Sequence, residues 1–371
     1  MMKKQIINLL TKLTKIPSNY PSEKNISTFL ESELKARQFK VAKQKVSSGR
    51  YNIFAEKGKG TKTVLFYGHM DTVSILDSVK WKTNPFVLKL VGDKAYGLGT
   101  SDMKGGMSAF IEAATSTNAP VKILLAVDEE NISEGAWLAV NKNRDFFRDV
   151  KLIISAEPSF GLGVNGITTA RTGRCIYEVK FIGKTEHIIK YIEAIDAIEK
   201  LCNFGSKLYS SRNKLFKSMN TIAQLRLVQA ESNGMSVCGE AYAEIEVILG
   251  SKDSIESVRK QLQTLTKDKI VVKSRKTPYL EGYAFKRFPY KEIISKIIKD
   301  NTGQEMKLHA RKSVGDDNVL ATLKIPVITW GPEGGNEHAA NEYVMLKSLD
   351  TLANMYKDFL DEVLKKIKNG K

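Results

Sequence analysis

The chain has 371 residues, of which 42% are hydrophobic and 27% are charged, a composition that excludes a disordered, collagen-like or solenoid protein. No run approaches the roughly 18 apolar residues of a membrane span, so we predict no membrane partner. The balance of 58 basic and 41 acidic residues gives a net charge of +17, which favours an acidic partner or, alternatively, reflects a lysine-rich thermophile surface.

The first segment and the cysteines predict a cytoplasmic protein. The stretch MMKKQIINLLTKLTKIPS is predicted to be an amphipathic helix rather than a secretory signal, because Lys12 interrupts it and Ile6, Leu9 and Leu13 recur at helical spacing. The three cysteines are scattered and form no CxxC pair: Cys175, Cys202 and Cys238. This usage is typical of structural thiols in a reducing compartment.

Strands and helices alternate up to about residue 165. Three short apolar stretches read TVLFYGHM (63–70), KILLAVDE (122–129) and KLIISAE (151–157), and a helix is predicted from Asp102 through Ala114. Continuous apolar strands that alternate with helices predict an α/β domain with a mostly parallel sheet covered on both faces. Ligands bind beyond the carboxyl ends of such strands, where HMD, DEE and AEP fall.

Residues 166–275 are predicted to form an inserted domain. The stretches CIYEVKFIG, MNTIAQLRLVQA and VCGEAYAEIEVIL alternate like half-exposed strands, and EHIIKYIEAIDAIEKLCNF is predicted to be one helix. A helix near 253–266 and a strand near 269–274 complete an α+β open sandwich of the ferredoxin-like kind. Residues 1–165 and 276–371 are then predicted to form the surrounding domain.

Imidazole and carboxylate side chains collect at the predicted strand ends. His69 and Asp71 form an HxD pair, and residues two apart on a strand point to the same side. The other members of the set are Asp102, Glu129, Glu130, Glu157 and His338. These groups are ligands for zinc or a similar divalent ion, and buried acids need a cation. The alternative is that they are ordinary solvated loop acids and helix caps.

Two ions about 3.5–4 Å apart would satisfy several carboxylates at once and leave one glutamate free as a general base. A basic nucleic-acid-binding protein with a relic metal site is the alternative from another function class. Lysine and arginine are spread along the chain, and no motif with interleaved aromatic residues is present, so we predict no nucleic-acid partner.

The ordered motifs resemble those of the metallopeptidase and deacylase family that includes acetylornithine deacetylase, succinyl-diaminopimelate desuccinylase and carboxypeptidase G. The matching stretches are GHMDTV, YGLGTSDMKGG, AVDEEN-SEGA, SAEPS and GPEGGNEHAANEYV. Each motif alone is weak evidence, whereas the ordered set is specific and the domain order agrees over almost the whole chain. The resemblance implies an amide hydrolase with two divalent metal ions, zinc being expected and cobalt the alternative.

The resemblance also implies a ligand set. His69, Asp102 and Glu157 would hold one ion, and Asp102 would bridge to a second ion that Glu130 and His338 also hold. These two ions would share a single bridging carboxylate, as in other two-metal hydrolases.

Catalytic roles follow from the same resemblance. Glu129 would be the general base, Asp71 would orient His69, and the peptide between Asp102 and Met103 would be cis. His187 of the inserted domain would help to hold the substrate oxyanion, often across a homodimer in this family. The alternative for His187 is a helix-terminal histidine without a role.

Substrate contacts are expected at three further positions. Arg171, Gly173 and Arg174 resemble the R-x-G segment that leads into the inserted domain of the family, although surface charge on a linker is the alternative. Gly335, in the GPEGG stretch, is the third expected position. His309 matches no ligand motif and is expected to be structural.

One departure from the family pattern bears on the substrate. Many relatives carry an acid-x-Arg pair where this chain reads GEAYAEIEVIL, and Cys238 replaces a proline. The missing arginine argues against a substrate whose free carboxylate it would grip, such as succinyl-diaminopimelate. The chain resembles instead the hydrolases that free lysine or ornithine from the acidic amino-group carrier protein LysW, with small-molecule N-acyl-amino-acid deacylases and di- or aminopeptidases as alternatives.

Overall fold

The computed structural model describes residues 2–58, 60, 62–75, 78–218, 220–250 and 252–368. They form two compact units. The first unit comprises the residues up to Ala170, Phe285–Ala310 and the residues from Gly315 onward, and the inserted unit comprises Arg171–Ala284 and Arg311–Val314. The sequence analysis placed the inserted domain at 166–275.

The helices and strands have the following bounds. The α-helices are α1 (Met2–Thr14), α2 (Lys24–Ala36), α3 (Gly105–Thr115), α4 (Glu134–Lys142), α5 (Ala197–Leu215), α6 (Ile255–Gln263), α7 (Lys291–Thr302), α8 (Asp316–Ala321) and α9 (Leu346–Lys368). The strands are β1 (Lys40–Ser47), β2 (Arg50–Lys57), β3 (Thr63–His69), β4 (Lys89–Val91), β5 (Lys94–Tyr96), β6 (Val121–Ala126), β7 (Val150–Ser155), β8 (Gly166–Arg171), β9 (Gly173–Ile182), β10 (Ile222–Ala230), β11 (Glu240–Leu249), β12 (Ile270–Val272), β13 (Tyr283–Ala284), β14 (Lys307–Arg311), β15 (Val327–Thr329), β16 (Gly334–Gly335) and β17 (Tyr343–Met345).

The large sheet of the first unit runs in the order β1-β2-β6-β3-β7-β15-β8. Its centre is parallel, because β3 pairs in parallel with both β6 and β7, and β15 pairs in parallel with β7. Every residue of β3 and β6 is buried, as expected for strands with helices on both faces. The aromatic rings of Phe66 on β3, Phe110 on α3 and Tyr356 on α9 pack together at centroid distances of 5.4 and 4.9 Å.

The inserted unit contains an antiparallel sheet in the order β10-β11-β9-β12. Cys175, Tyr177, Val179 and Phe181 alternate along β9 and are buried, which puts one face of the sheet against the core of this unit. The predicted α/β class with an inserted α+β open sandwich is therefore confirmed. No helix in the described part of the chain is long and apolar enough to cross a membrane.

Two predicted helices were too long at their first residues. Asp102 does not open a helix: its backbone is extended (φ −118°, ψ 93°) within a π-type turn over Thr100–Lys104, and α3 begins at Gly105. The stretch predicted as one helix from residue 186 divides into a short 3-10 segment, Ile188–Glu193, and α5. The side chain of Asp196 accepts a hydrogen bond from the Ile198 N–H and thereby caps the start of α5.

Candidate active site

The parallel strands bring the motifs to one edge of the large sheet. His69 is the last residue of β3, Glu129 and Glu130 follow β6, and Glu157 follows β7. Because β6, β3 and β7 are neighbours and run in parallel, their carboxyl ends meet at the same place. The predicted strand through residue 129 ends earlier, at Ala126, since Asp128 adopts a left-handed backbone with φ 77°.

The first cluster consists of His69, Asp102 and Glu157, and all three residues are buried. The Nε2 atom of His69 lies 3.0 Å from Oδ1 of Asp102 and 3.4 Å from Oε1 of Glu157. An imidazole nitrogen and two carboxylate oxygens therefore face one point at the end of β3. This is a donor set of the kind that holds zinc.

The second cluster shares Asp102 with the first and adds Glu130 and His338. The Nε2 atom of His338 lies 3.4 Å from Oδ2 of Asp102 and 3.0 Å from Oε2 of Glu130. The two carboxylate oxygens of Asp102 thus face different histidines. A carboxylate placed in this way can bridge two cations. The predicted cis peptide between Asp102 and Met103 is also confirmed.

Asp71 contacts one residue of each cluster. The Nδ1 atom of His69 lies 3.0 Å from the backbone oxygen of Asp71 and 3.6 Å from its Oδ1 atom. The other carboxylate oxygen of Asp71 accepts a hydrogen bond of 3.0 Å from the Glu130 N–H. The HxD pair therefore fixes the ring of His69 mainly through the backbone, and the carboxylate fixes the loop that carries Glu130.

Burial and like charge shape the electrostatics. Burial raises the pKa of Glu129 well above its ordinary value, and the charge of Glu157 raises it further. Burial likewise raises the pKa of Glu130. Hydrogen bonds to Asp102 and Glu130 raise the pKa of His338 to about 11. The carboxylates attract positive charge strongly, and a divalent cation in their midst would replace the protons on the histidines.

The donor chemistry therefore fits divalent metal ions. Two imidazoles and four carboxylates, belonging to His69, Asp102, Glu129, Glu130, Glu157 and His338, form three overlapping groups whose ligand atoms lie within 4.8 Å of one another. Packing so many acids together is costly unless cations compensate them.

Comparison with known proteins decides the family. The sequence model of peptidase family M20/M25/M40 matches residues 65–362. The chain belongs to this family. It is 24% identical over 385 residues to the succinyl-diaminopimelate desuccinylase of Ruthia magnifica subsp. Calyptogena magnifica, which covers 96% of this chain and 99% of that relative.

Solved structures share the fold of this family member. Aminopeptidase PepT from Bacillus cereus ATCC 10987 superposes with a TM-score of 0.79 at 19% identity, covering 97% of this chain and 98% of that chain. The Bacillus subtilis YXEP protein, described as a dinuclear metal binding peptidase from the M20 family, gives a TM-score of 0.71 at 17% identity and covers 99% of both chains. The M20/M25/M40 protein is thus a metal-dependent hydrolase of amide bonds, as the sequence analysis predicted.

The first acid of the DEE motif, Asp128, has a structural partner in this M20/M25/M40 protein. Asp128 accepts a hydrogen bond of 2.8 Å from Arg50, whose guanidinium also binds Glu23, and all three side chains are buried. Asp128 also accepts the Glu134 N–H at the start of α4. Asp128 therefore orders the loop behind Glu129 and needs no metal ion.

Two further interactions were not predicted from the sequence. The hydroxyl group of Tyr67 donates to the buried carboxyl group of Asp316, whose pKa burial raises to about 7. The carboxyl group of Glu342 accepts hydrogen bonds from backbone N–H groups around Asp102, and burial raises its pKa to about 8. Glu342 lies inside the quoted NEHAANEYV stretch, where only His338 had been assigned a role.

The remaining predicted residues lie outside the two clusters. His187 is exposed in the inserted unit, and its ring accepts a hydrogen bond from the Ile189 N–H. Arg171 is only 5% exposed and donates to the Ser313 hydroxyl, whereas Arg174 forms an ion pair of 2.6 Å with Glu246. The burial of Arg171 argues against the alternative that this arginine is only a surface charge on a linker. Gly335 pairs with Tyr343 across β16 and β17, and His309 lies on β14.

Proposed function

We propose that this protein is a dinuclear zinc hydrolase that releases lysine or ornithine from the acidic amino-group carrier protein LysW. The bond cleaved would be the amide between the amino acid's α-amino group and the side chain of the carrier's C-terminal glutamate. The observation that carries the amide hydrolase is the shared carboxylate of Asp102 between two histidine–carboxylate clusters. The net charge of +17 supports the acidic carrier.

In this proposal the ligands follow the two clusters. His69, Asp102 and Glu157 would hold one zinc ion, and Asp102, Glu130 and His338 would hold the other, with cobalt as the alternative metal. Such ions supply Lewis-acid chemistry, since they lower the pKa of bound water toward roughly 7 and polarise a carbonyl group.

Glu129 is the proposed general base. It follows β6 beside the ligand Glu130 and lies within the group formed with His69, so its carboxylate faces the same space. It would take a proton from the attacking water and pass that proton to the departing α-amino group. Burial raises the pKa of Glu129, which makes its carboxylate a stronger base than an exposed one.

His187 is proposed to contribute to oxyanion stabilisation from the inserted unit. Its ring is exposed and adjacent to a run of exposed apolar residues, so it is accessible to another molecule. Hydrogen-bond donors of this kind act mainly in the transition state, where negative charge develops on the carbonyl oxygen.

The choice of substrate rests on charge and on β11. This strand carries Glu244 and Glu246 and no arginine, so the arginine that would bind a free substrate carboxylate is missing from it. Against the carrier stands the desuccinylase relative, which is similar over nearly its whole length. A small-molecule N-acyl-amino-acid deacylase is therefore the second candidate function, followed by a di- or aminopeptidase.

The carrier proposal predicts that salt weakens hydrolysis of the protein substrate selectively. At 1 M ionic strength the Debye length falls to roughly 3 Å, so long-range attraction between a basic enzyme and an acidic carrier fades. Steady-state kcat/KM should be measured across a salt series for LysW-lysine, LysW-ornithine, acetylornithine, succinyl-diaminopimelate and dipeptides. We expect kcat/KM for the carrier substrates to fall steeply and that for any small substrate to change little.

Two outcomes of the same assay would contradict the carrier proposal. Hydrolysis of succinyl-diaminopimelate or acetylornithine without release of amino acid from either carrier conjugate would contradict the carrier proposal and support the small-molecule deacylase. Equal salt slopes for carrier and small substrates would show that the net charge serves solubility or thermostability instead.

The homodimer expected from the family resemblance has a candidate surface in the inserted unit. Directly after His187 the chain exposes Ile188, Ile189, Tyr191, Ile192 and Ile195, and Ile192 is 98% exposed. An apolar patch of this kind usually marks an interaction site. We therefore propose that it is buried between two copies of the chain.

Replacing Ile192 with aspartate should convert the dimer to monomers, because it would place a charge inside an apolar interface. Sedimentation velocity of wild type and variant measures this change. Val79→Asp is the matched control, since Val79 is 93% exposed in the first unit, and this variant should sediment like wild type. A monomeric wild-type protein would remove the dimer proposal.

A further inference from the structure

The carboxyl group of Glu342 accepts hydrogen bonds from the backbone around Asp102. Its Oε2 atom accepts the Gly99 N–H at 2.6 Å, and its Oε1 atom accepts the N–H groups of Ser101 and Asp102 at 2.8 and 2.9 Å. One carboxyl group thus satisfies three backbone donors of the turn that precedes α3. Buried N–H groups need such partners, and α3 cannot supply them because it begins only at Gly105.

The backbone of Glu342 is itself held in place. The next residue, Tyr343, pairs with Tyr96 of β5, and the carbonyl oxygen of Glu342 accepts the Gly97 N–H at 3.0 Å. The residue is 1% exposed, so its carboxyl group has no competing water. The two chain segments are therefore joined by main chain and side chain together.

The segment that ends at Glu342 also carries His338. Asn341 joins this segment to the chain near residue 80, since its side chain accepts the Lys82 N–H at 2.8 Å and donates to the Lys80 carbonyl oxygen at 2.9 Å. Glu342 thus connects the backbone of Asp102 to the segment that presents the second histidine. The carboxylate of Asp102 and the ring of His338, which lie 3.4 Å apart, therefore belong to two segments that Glu342 joins.

We propose that Glu342 is a positioning residue of the metal centre, which holds Asp102 at the place where its two oxygens reach both clusters. This inference rests on the proposed dinuclear function. Among the hydrogen bonds of the described residues, those of the Glu342 carboxyl group go to the backbone of the turn that carries Asp102, so Glu342 acts through the backbone of the shared ligand. Outer partners of metal ligands typically change metal affinity by about 10–100-fold when they are replaced.

Zinc titration of the metal-free protein by calorimetry tests the proposal. Glu342→Gln keeps the size of the side chain but has one oxygen, so its amide NH2 must face at least one backbone N–H. Glu342→Ala removes all three acceptors. We expect zinc affinity to fall in the order wild type, Glu342→Gln, Glu342→Ala, with a loss of about 10–100-fold for the alanine variant. Cobalt-loaded Glu342→Gln should also show an altered visible spectrum, because the spectrum reports ligand geometry.

Two controls separate positioning from general stability and charge. Glu112→Gln alters a similarly buried carboxylate on α3, which pairs with Arg37, and should lower Tm without changing zinc affinity. Glu337→Gln removes a charge from the same segment, where its side chain accepts only the Ser101 hydroxyl among the described hydrogen bonds, and should bind zinc like wild type.

The outcomes are distinct. Wild-type zinc affinity and cobalt spectra in both Glu342 variants, with only Tm lowered, would make Glu342 purely structural and leave the proposed function intact. If the alanine variant does not fold, the near-isosteric glutamine variant decides. Wild-type protein that binds no divalent ion would overturn the proposed function and this inference together.

Discussion

Replacing Glu129 with glutamine should lower kcat by about 10²–10⁴-fold while metal content stays at the wild-type level. The reason is that the proposed base is not a ligand of either cluster that shares Asp102, and an amide cannot carry the proton from water to the leaving amine. Steady-state kinetics on the cleaved substrate and elemental analysis of the same samples measure the two quantities.

The matched control for this variant is Glu130→Gln, at the neighbouring position. Glu130 lies 3.0 Å from the Nε2 atom of His338, so its replacement should reduce metal content as well as rate. If Glu129→Gln loses metal and Glu130→Gln retains it, the roles of the two glutamates have been assigned the wrong way round.

Removal of divalent metal should abolish hydrolysis, and the protein should bind about two ions per chain when saturated. Chelator dialysis followed by zinc titration gives both the loss of activity and the stoichiometry. Asp102→Asn should lose both ions because Asp102 belongs to both clusters, whereas His338→Ala should lose one because His338 belongs to the second cluster alone.

The graded loss distinguishes a shared carboxylate from two independent sites. Independent sites would leave one ion in Asp102→Asn, and such a result would contradict the bridging role. His187→Ala serves as the control, since its ring lies in neither cluster, and its metal content should match that of wild type.

The sequence located most of the candidate site because the site is local to strand ends. Continuous apolar runs predict buried parallel strands, and parallel strands bring their last residues together, so HMD, DEE and AEP could be placed at one edge. His69, Glu130 and Glu157 follow from this rule. The fold class follows from the change between continuous and alternating patterns.

The interactions that the sequence did not reveal join distant segments. Tyr67 and Asp316 are 249 residues apart, and Glu342 reaches Asp102 across 240 residues through the pairing of β17 with β5. No periodicity predicts which short strands pair across such a separation. The partner of Asp128 was not predicted for the same reason, because Arg50 lies 78 residues earlier in the chain, on β2.

The starts of two helices were predicted wrongly because side-chain carboxylates bind backbone N–H groups near them. A turn whose N–H groups bond to a carboxylate has no need of helical geometry, so α3 starts three residues after Asp102. The division between residues 188 and 197 has a similar cause, since the Asp196 side chain takes over the first donor of α5. Apolar spacing continues through both places and gives no sign of the change.

The buried guanidinium of Arg50 connects the first part of the chain to the loop that carries the proposed base. It binds the carboxylates of Glu23, just before α2, and of Asp128, just before the proposed base. A change at Glu23 would remove one of the anions that fix the guanidinium of Arg50 and leave Asp128 and Glu134 as its partners, so we expect the loop that leads to Glu129 to be held less firmly.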